Sequence, residues 1–518
     1  MQHIGFTNFR RFRKFPNMNF GDITLLVGSN NSGKSTIIKA LMLVFDNLRN
    51  LKVTKKDSTF GDNVFRFDGY NMHNIHIDTY WRALNNEAKE EKENEISFNI
   101  GFGDFSICIN VTGNKTDLAD SIIKSIIISN DALGITFFIS FEKSYVQVDF
   151  PDEFEESIVE DKDIKKQIDD LQSSLKTVSS PIEAAEINSK IDNLKGSLNV
   201  DLISSVMAYV GMDEISEFMK PGENLLISCL NSLIEYSRHP TMGDSGDERY
   251  KKVEQQKSLL RNNEKHITDS VDALKAMLNN KPLEYVFAHG VVQKAVFSIE
   301  DKNDYTAQAI YQFVDQKINP GSEEYSLVTE WMQKFEVGAD FRIDTLRGTA
   351  YGVKIFNDMD DFEGVELADK GMGSNQLMIL LWRMASFIRL YKNLPKKLMP
   401  TIIIEEPEQN LHPKIQSLLA DFFLYINIHY GFRFIIETHS EYLVRKSQVL
   451  VGSKDFHSQE ELDSNNPFKV YYLPINREAY EMKYTVSGLF DNKKTFDDGF
   501  FDEASRHQLT LIKNSRRR

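Results

Sequence analysis

A glycine-rich segment near the N-terminus has the residue types and spacing of a phosphate-binding loop. It reads Gly28, Ser29, Asn30, Asn31, Ser32, Gly33, Lys34, Ser35 and Thr36. The segment follows the apolar run Ile23–Val27 and opens the helical run Thr36–Phe45, so its backbone N–H groups would turn toward bound phosphates. Lys34 would contact the β- and γ-phosphates, and Ser35 would offer its hydroxyl to a metal ion. The sequence therefore predicts ATP and Mg²⁺ as ligands of this segment.

Two adjacent carboxylates follow a second apolar run, much further along the chain. The run Thr401–Ile404 predicts a buried strand, and Glu405 and Glu406 come directly after it. In phosphoryl transfer, one such acid supports the metal shell and the next orients the attacking water. We therefore expect Glu405 to be a metal ligand and Glu406 to be the catalytic base. Adjacent acids at a strand end are often ordinary surface residues, but the apolar run preceded by Pro400 favours the functional interpretation.

Two further segments carry residues with possible roles in catalysis. The run Phe434–Ser440 predicts a strand that ends close to His439, which is placed to contact a γ-phosphate. A lone histidine is more often a packing or surface residue. The turn Gly371–Gln376 precedes the apolar helical run Leu377–Tyr391, so backbone amides and Ser374 at the helix start are placed to bind a phosphate. Glycine-rich turns are often simple loops, and both interpretations stay open here.

The elements that position these residues indicate an α/β fold. Short β-rich runs alternate with one clear helix over the first part of the chain: His3–Asn8, Ile23–Val27, Ile96–Phe102, Ser106–Val111, Ile135–Phe141 and Tyr145–Phe150, with the helix after Lys34. Strands and helices alternate again from Leu283 to about residue 490. We therefore predict residues 1–150 and 283–518 to form the two parts of one α/β body.

The middle of the chain, residues 151–282, has a different pattern and predicts a helical insertion. Apolar residues recur at spacings of 4, 3, 4 and 3 on one side of the turn at Ser179–Pro181 and at similar spacings on the other: Ile164, Ile168, Leu171, Leu175 and Val178, then Ile187, Ile191, Leu194 and Leu198. This pattern is typical of a short antiparallel coiled-coil hairpin, although an ordinary helical pair fits equally well. Residues 200–280 are predicted to be helical throughout.

Composition excludes several classes of protein. No apolar run approaches the roughly 18 residues that span a bilayer, so neither a membrane protein nor a transporter is expected. The two cysteines, Cys108 and Cys229, are too few for a disulfide framework or a zinc site, and we expect a reducing cytoplasm. The net charge of −15 argues against wrapping in nucleic acid. Local contact with nucleic acid stays possible at two basic clusters, Arg10–Lys14 and Arg516–Arg518.

Four motifs in a fixed order carry a resemblance to a known group of ATPases. They read GSNNSGKST, LADKGMGSNQL, IIIEEPEQNLHP and ETHSEYLVRK. This set resembles ABC-type ATPases of the SMC, RecF and OLD (overcoming lysogenization defect) branch, and is most similar to bacterial OLD-like AAA-family ATPases. The opening Ile4–Arg10 and the closing Asp498–Glu503 are also similar to that branch. The resemblance covers roughly residues 1–50 and 340–505, and it implies an ABC-type head with mixed β-sheets that carries the helical insertion.

The resemblance implies that two heads share each ATP. In such proteins the nucleotide lies between the phosphate loop of one subunit and the signature helix of the other. Gly373 and Ser374 would then face the γ-phosphate of the partner, residues 411–413 would form the D-loop, and His439 would be the switch histidine. A homodimer or a higher even-numbered homo-oligomer is therefore expected.

The resemblance also bears on the biological role. OLD nucleases add a Toprim domain after the ATPase, and residues 450–518 are too few to form one, so no nuclease is expected within this chain. The function expected from the resemblance is a sensor or regulator in bacterial anti-phage defence, acting with a separate effector nuclease or toxin. Two alternatives are an SMC- or RecF-like ATPase that clamps DNA and a scaffold that assembles on ATP. The intact pair Glu405 and Glu406 argues against loss of hydrolysis.

Overall fold

The computed structural model describes residues 2–54, 63–69, 77–115, 121–150, 207–242, 245–279, 282–286, 293–301, 304–358, 360–475, 477–497, 500–501, 506–510 and 512. The predicted coiled-coil hairpin at residues 164–198 lies outside the described residues, as does the basic cluster at residues 516–518. None of the helices in the described part of the chain is long and apolar enough to cross a bilayer.

The strands, in chain order, are β1 His3–Phe9, β2 Phe12–Asn19, β3 Ile23–Gly28, β4 Val64–Phe65, β5 Ile96–Phe102, β6 Phe105–Thr112, β7 Ser121–Asn130, β8 Ile135–Ser140, β9 Tyr145–Asp149, β10 Met207–Gly211, β11 Leu283–Val286, β12 Phe297–Ser298, β13 Asp340–Leu346, β14 Ala350–Phe356, β15 Val365–Glu366, β16 Thr401–Glu405, β17 Arg433–Thr438, β18 Phe468–Leu473 and β19 Tyr480–Glu481.

The α-helices are α1 Lys34–Asn50, α2 Tyr80–Ala83, α3 Asn86–Glu90, α4 Met212–Ile215, α5 Leu225–Arg238, α6 Glu248–Asn262, α7 Glu264–Asn279, α8 Tyr305–Asp315, α9 Glu323–Lys334, α10 Met372–Tyr391, α11 Pro413–Tyr430, α12 Glu441–Gly452 and α13 Gln459–Asn465. The mixture of helices and several sheets confirms the predicted α/β fold class.

The chain divides into two compact units. The first comprises Asn19–Ala40 and Asn280–Arg518, and the second comprises Gln2–Met18 and Leu41–Asn279. Residues 41–150 therefore group with the segment that follows them rather than with the phosphate-loop segment. The three predicted domains stay a prediction, because residues 151–206 of the proposed insertion lie outside the described residues.

The first unit is built on a sheet of six strands in the order β11, β16, β17, β3, β18, β19. All neighbouring pairs are parallel except β18 with β19, so the carboxyl ends of five strands meet at one edge. Every residue of β3 is buried, as is usual for a parallel strand covered on both faces. This edge is where the predicted loop and acidic residues lie.

The core of the first unit lies around helix α10, which packs against α8 and α9. Trp382 of α10 is fully buried and makes an edge-to-face contact with Phe341 of β13. Strand β13 belongs to a small antiparallel sheet in the order β12, β14, β13, with β15 also pairing β14. These contacts fix the helix whose first turn carries the predicted signature residues.

The second unit is a nine-stranded sheet in the order β10, β9, β8, β7, β6, β5, β1, β2, with β4 pairing β7. Alternate residues of β6 are buried, which is the pattern of a sheet with one covered face. Helices α5, α6 and α7 pack together in this unit. Strand β10 pairs antiparallel with β9, so the prediction that residues 200–280 are helical throughout is wrong at Met207–Gly211. Strand pairing, rather than local helix propensity, decides the conformation there.

Candidate active site

The glycine-rich segment forms a tight loop between β3 and α1. A Cβ atom at Gly28 would lie 2.5 Å from the carbonyl oxygen of Leu473 on the neighbouring strand, so the close approach of the two strands requires glycine. Gly33 has φ of 102°, a conformation that glycine adopts without strain, and α1 begins at the next residue. The structure therefore has the strand, loop and helix that the sequence predicts.

Lys34 folds back over this loop. Its Nζ donates hydrogen bonds to the carbonyl oxygens of Gly28 at 2.9 Å and Ser29 at 3.1 Å, and the residue is only 3% exposed. Burial lowers the pKa of Lys34, whereas nearby Glu437 acts in the opposite direction. The ammonium group is thus held at the loop by backbone carbonyls and is desolvated, which strengthens its attraction for a phosphate oxygen.

Glu437 contacts the phosphate-loop residues and is a site residue that the sequence reasoning missed. Ser35 Oγ donates to Glu437 Oε1 at 3.2 Å, and Lys34 Nζ lies 3.8 Å from the same oxygen. Burial raises the pKa of Glu437 to about 7, against the opposing effect of Lys34. The available signal was an acidic residue directly after the apolar run Phe434–Ile436, two positions before His439.

The two predicted acids, Glu405 and Glu406, lie at the same sheet edge in different surroundings. Glu405 ends β16 and is in register with Glu437 on β17, and its carboxylate pairs with the phenol of Tyr285. Burial, together with Glu405, raises the pKa of that phenol. Glu406 has φ of 43°, and its carboxylate accepts a hydrogen bond from Gln409 Nε2 at 2.6 Å. The structure thus presents the Glu406 carboxylate from a left-handed turn.

His439 lies beside Glu406. Its Nε2 is 3.6 Å from Glu406 Oε1, and its backbone N–H donates to Glu408 Oε1 at 2.6 Å. Burial, and then the charge of Lys34, lower the pKa of His439 and so favour the neutral imidazole. One ligand atom from each of Glu406, Glu437 and His439 lies within 4.8 Å of the others. Three strand-end segments therefore converge on one small region.

The predicted signature turn packs against the loop that follows Glu406 in the same chain. A Cβ atom at Gly373 would lie 2.6 Å from the carbonyl oxygen of Asn410, so glycine is required for this contact. Ser374 Oγ donates to the carbonyl of Lys370 at 3.2 Å. Gly371, with φ of 92°, precedes the first residue of α10. Sequence reasoning predicted a phosphate contact for Gly373 and did not foresee its packing role.

Gln376 is a second contact that the sequence reasoning missed. Its Nε2 donates to the carbonyl oxygens of Glu406 and Pro407, each at 3.2 Å, and the residue is buried. The first turn of α10 therefore fixes the backbone of the acidic turn. The glutamine stands in the motif GMGSNQ, but no local pattern indicated its partner.

The donor set fits a magnesium ion. Mg²⁺ prefers oxygen ligands and commonly uses one or two carboxylates together with substrate phosphates. Ser35 offers a hydroxyl and Glu437 a carboxylate, and among the described residues no group donates a hydrogen bond to the buried Glu437 Oε2. Glu405 lies one strand further away, and its carboxylate pairs with Tyr285. A cation bound beside the phosphate loop would satisfy this buried carboxylate oxygen of Glu437.

The parallel sheet, the glycine-rich loop and the acidic strand ends define a phosphate-loop ATPase. The chain belongs to the AAA ATPase domain family, whose model matches residues 1–444. It is an ATPase, and the class expected from the sequence, an OLD-like ATPase of the ABC type, is confirmed by this match.

A curated relative and several solved structures are similar to the chain. Endonuclease GajA of Bacillus cereus (strain HuB5-5) is 22% identical over an alignment of 452 residues that covers 81% of this chain and 52% of GajA. The chain thus spans about half the length of that relative. The Smc head domain with an extended coiled coil bound to the C-terminal domain of ScpA, from Pyrococcus furiosus, is 11% identical, with a TM-score of 0.32 and coverage of 99% of both chains. The Smc head domain with a coiled coil and joint from Pyrococcus yayanosii is 11% identical, with a TM-score of 0.34 and coverage of 94% and 97%.

Proposed function

We propose that the chain binds ATP with Mg²⁺ at the loop Gly28–Thr36 and hydrolyses it with Glu406 as the catalytic base. The observation that carries this proposal is the convergence of distant segments on one sheet edge. The hydrogen bond from Ser35 to Glu437 joins residues 402 positions apart, and Glu406 and His439 lie beside it. Such a convergence of a hydroxyl, a desolvated ammonium and several carboxylates is costly unless a ligand uses it.

Each residue has a role that follows from its contacts. Backbone N–H groups of the loop and of the α1 N-terminus bind phosphate oxygens, and Lys34 adds a positive charge to them. The carboxylate of Glu406, oriented by Gln409, accepts a proton from the attacking water. The imidazole of His439, neutral and adjacent to Glu406, donates a hydrogen bond toward the γ-phosphate. When bound, Mg²⁺ neutralises the charge that develops on the transferred phosphoryl group.

The proposed active assembly is a dimer that shares each ATP. Gly373 and Ser374, in the first turn of α10, contact the nucleotide bound by the partner subunit. Three observations support this contact. Gly371, the residue before α10, has a positive φ, and Ser374 is only half-buried. The N-terminus of a long helix also offers backbone amides to an anion. The packing of Gly373 on the loop of Glu406 would connect the partner's ATP to the catalytic base.

The measurement that tests this proposal is the mass of the Glu406→Gln variant with ATP and Mg²⁺. Slow hydrolysis keeps ATP in place, so light scattering is expected to give twice the mass found without nucleotide. A double variant, Lys34→Ala with Glu406→Gln, is the control and is expected to keep the nucleotide-free mass. ATP bound at an unchanged mass would refute the shared site, and wild-type hydrolysis by Glu406→Gln would refute the role of Glu406.

The proposed biological role is a sensor or regulator in anti-phage defence that acts with a separate effector. The support is the OLD-like class and the likeness to a protein named an endonuclease, of which this chain spans about half. A nuclease is therefore the effector we favour, and a toxin is the other expected effector. Affinity purification after co-expression with neighbouring genes tests this role. Recovery of a nuclease or toxin supports it, whereas recovery of DNA alone would favour a clamp on DNA.

A further inference from the structure

The strand order separates two acids that occupy equivalent positions at the sheet edge. Strand β17 lies between β3 and β16, and Glu405 of β16 is in register with Glu437 of β17. Neighbouring strands lie about 4.8 Å apart, so β16 is about two such spacings from the strand that carries the phosphate loop. Glu437 is thus on the strand next to the loop, whereas Glu405 is one strand further away.

The side-chain contacts also distinguish Glu437 from Glu405. Glu437 is 5% exposed, and its Oε1 accepts a hydrogen bond from Ser35 Oγ at 3.2 Å. Within the described ranges, its buried Oε2 has no hydrogen-bond partner. The carboxylate of Glu405, by contrast, pairs with the phenol of Tyr285 on the far side of β16 from the loop. The acid that has an unused oxygen beside Ser35 is therefore Glu437.

We propose that Glu437 supplies the carboxylate of the magnesium shell beside Ser35, a role that the sequence assigns to Glu405. This inference rests on the proposed function, because it requires that ATP and Mg²⁺ bind at the loop. A serine hydroxyl with one carboxylate leaves coordination positions for phosphate oxygens and water, which is how Mg²⁺ is usually held with nucleotides. Glu405 then hydrogen-bonds with Tyr285 and does not bind the ion.

A purely structural role for Glu437 would be to neutralise Lys34. The distance of 3.8 Å between Lys34 Nζ and Glu437 Oε1 is consistent with an ion pair, but that pair uses only the oxygen already bonded to Ser35. It leaves Oε2 buried without a partner, which is unfavourable for a carboxylate. A cation that binds the carboxylate satisfies the second oxygen, so the metal role accounts for both atoms.

Manganese binding tests the assignment, because Mn²⁺ takes the same oxygen ligands and is detected directly by electron paramagnetic resonance. Mn²⁺ is titrated into the full chain with a non-hydrolysable ATP analogue, for the wild type, Glu437→Gln and Glu405→Gln. Loss of a metal ligand is expected to weaken Mn²⁺ binding at least about tenfold in Glu437→Gln. Glu405→Gln is the matched control and is expected to weaken Mn²⁺ binding less than Glu437→Gln does. Affinity for a fluorescent ATP analogue without metal should not fall in either variant.

The outcomes separate this inference from the proposed function. Wild-type Mn²⁺ affinity in Glu437→Gln, or a larger loss in Glu405→Gln, would overturn the assignment while leaving the ATP site intact. Failure of the wild type to bind the ATP analogue would overturn the proposed function itself. If circular dichroism shows that Glu437→Gln does not fold, Glu437→Asp replaces it. Its shorter side chain is expected to weaken Mn²⁺ binding at unchanged nucleotide affinity, and wild-type Mn²⁺ affinity in that variant overturns the assignment.

Discussion

Substitution of Gln376 by Met tests whether the first turn of α10 holds the proposed catalytic base in place. The amide Nε2 donates to the carbonyl oxygens of Glu406 and Pro407, each at 3.2 Å. Glu406 needs this support because its φ of 43° is left-handed, which costs about 1–2 kcal/mol for a residue with a Cβ atom. Methionine has nearly the same volume as glutamine and no donor, so the substitution removes the hydrogen bonds and keeps the packing.

The magnitude follows from the partners of the two carbonyls. The carbonyl of Glu406 also accepts from the backbone N–H of Gln409 at 3.2 Å. In Gln376→Met it therefore loses one hydrogen bond and keeps the other. In the part of the chain that the structure describes, the carbonyl of Pro407 accepts from Gln376 alone. An unsatisfied buried acceptor costs about 1–3 kcal/mol, which gives about 2 kcal/mol for the substitution. Local opening of the turn should then be roughly thirty times more frequent, since tenfold corresponds to about 1.4 kcal/mol.

Hydrogen exchange followed by mass spectrometry measures that opening in a peptide covering residues 405–412. Exchange in this peptide should accelerate at least about tenfold in Gln376→Met, and kcat should fall while nucleotide affinity is unchanged. The matched control is Gln333→Met, because Gln333 makes the same kind of bond, to the carbonyl of Ala339 at 3.1 Å, but is exposed. Equal exchange rates in wild type and Gln376→Met would show that the amide does not hold the turn.

Two further substitutions test the loop and the signature turn. Lys34→Ala removes the desolvated ammonium from the phosphate loop, so it should weaken binding of a fluorescent ATP analogue at least about tenfold, and near-wild-type affinity would exclude this loop as the site. Gly373→Ala places a Cβ atom 2.6 Å from the carbonyl oxygen of Asn410, so it should lower the thermal midpoint and ATP turnover. Gly352→Ala is its control, since the nearest atom there is 3.7 Å away, and equal effects of the two substitutions would contradict the packing role of Gly373.

Local sequence patterns predicted the elements that carry the chemistry. The apolar runs before Gly28 and before Glu405 are strands β3 and β16, and the glycine-rich segment between β3 and α1 is a loop. These features were predictable because strand burial, glycine conformation and helix start signals act over a few residues. Strand β7, Ser121–Asn130, was not predicted although its apolar content is high, and strand β2 was not predicted because Arg13, Lys14 and Pro16 interrupt its pattern.

The site contacts that the sequence did not predict depend on strand order and on helix packing. Glu437 lies beside Ser35 because β17 is inserted between β3 and β16, and no local pattern fixes that order. Gln376 bonds to the turn at Glu406 because the first turn of α10 lies against the segment 406–411, at a separation of 30 residues in the chain. Sequence reasoning therefore named the adjacent pair Glu405 and Glu406, and it missed Glu437 and Gln376, whose roles depend on tertiary neighbours.

Mixing two inactive variants tests the central claim, that one subunit supplies Lys34 and its partner supplies Ser374 to each ATP. Lys34→Ala removes the ammonium group from the phosphate loop. Ser374→Glu places a negative charge against the γ-phosphate of the ATP bound by the partner, and glutamate is compatible with a helix N-terminus. Co-expressed with different affinity tags, the two chains form a mixed dimer that retains one intact site of two. ATP turnover by an equal mixture should recover to about a quarter of the wild-type value, since half of the dimers in a symmetric assembly are mixed. Mixed dimers without recovered turnover would show that both residues act within one chain.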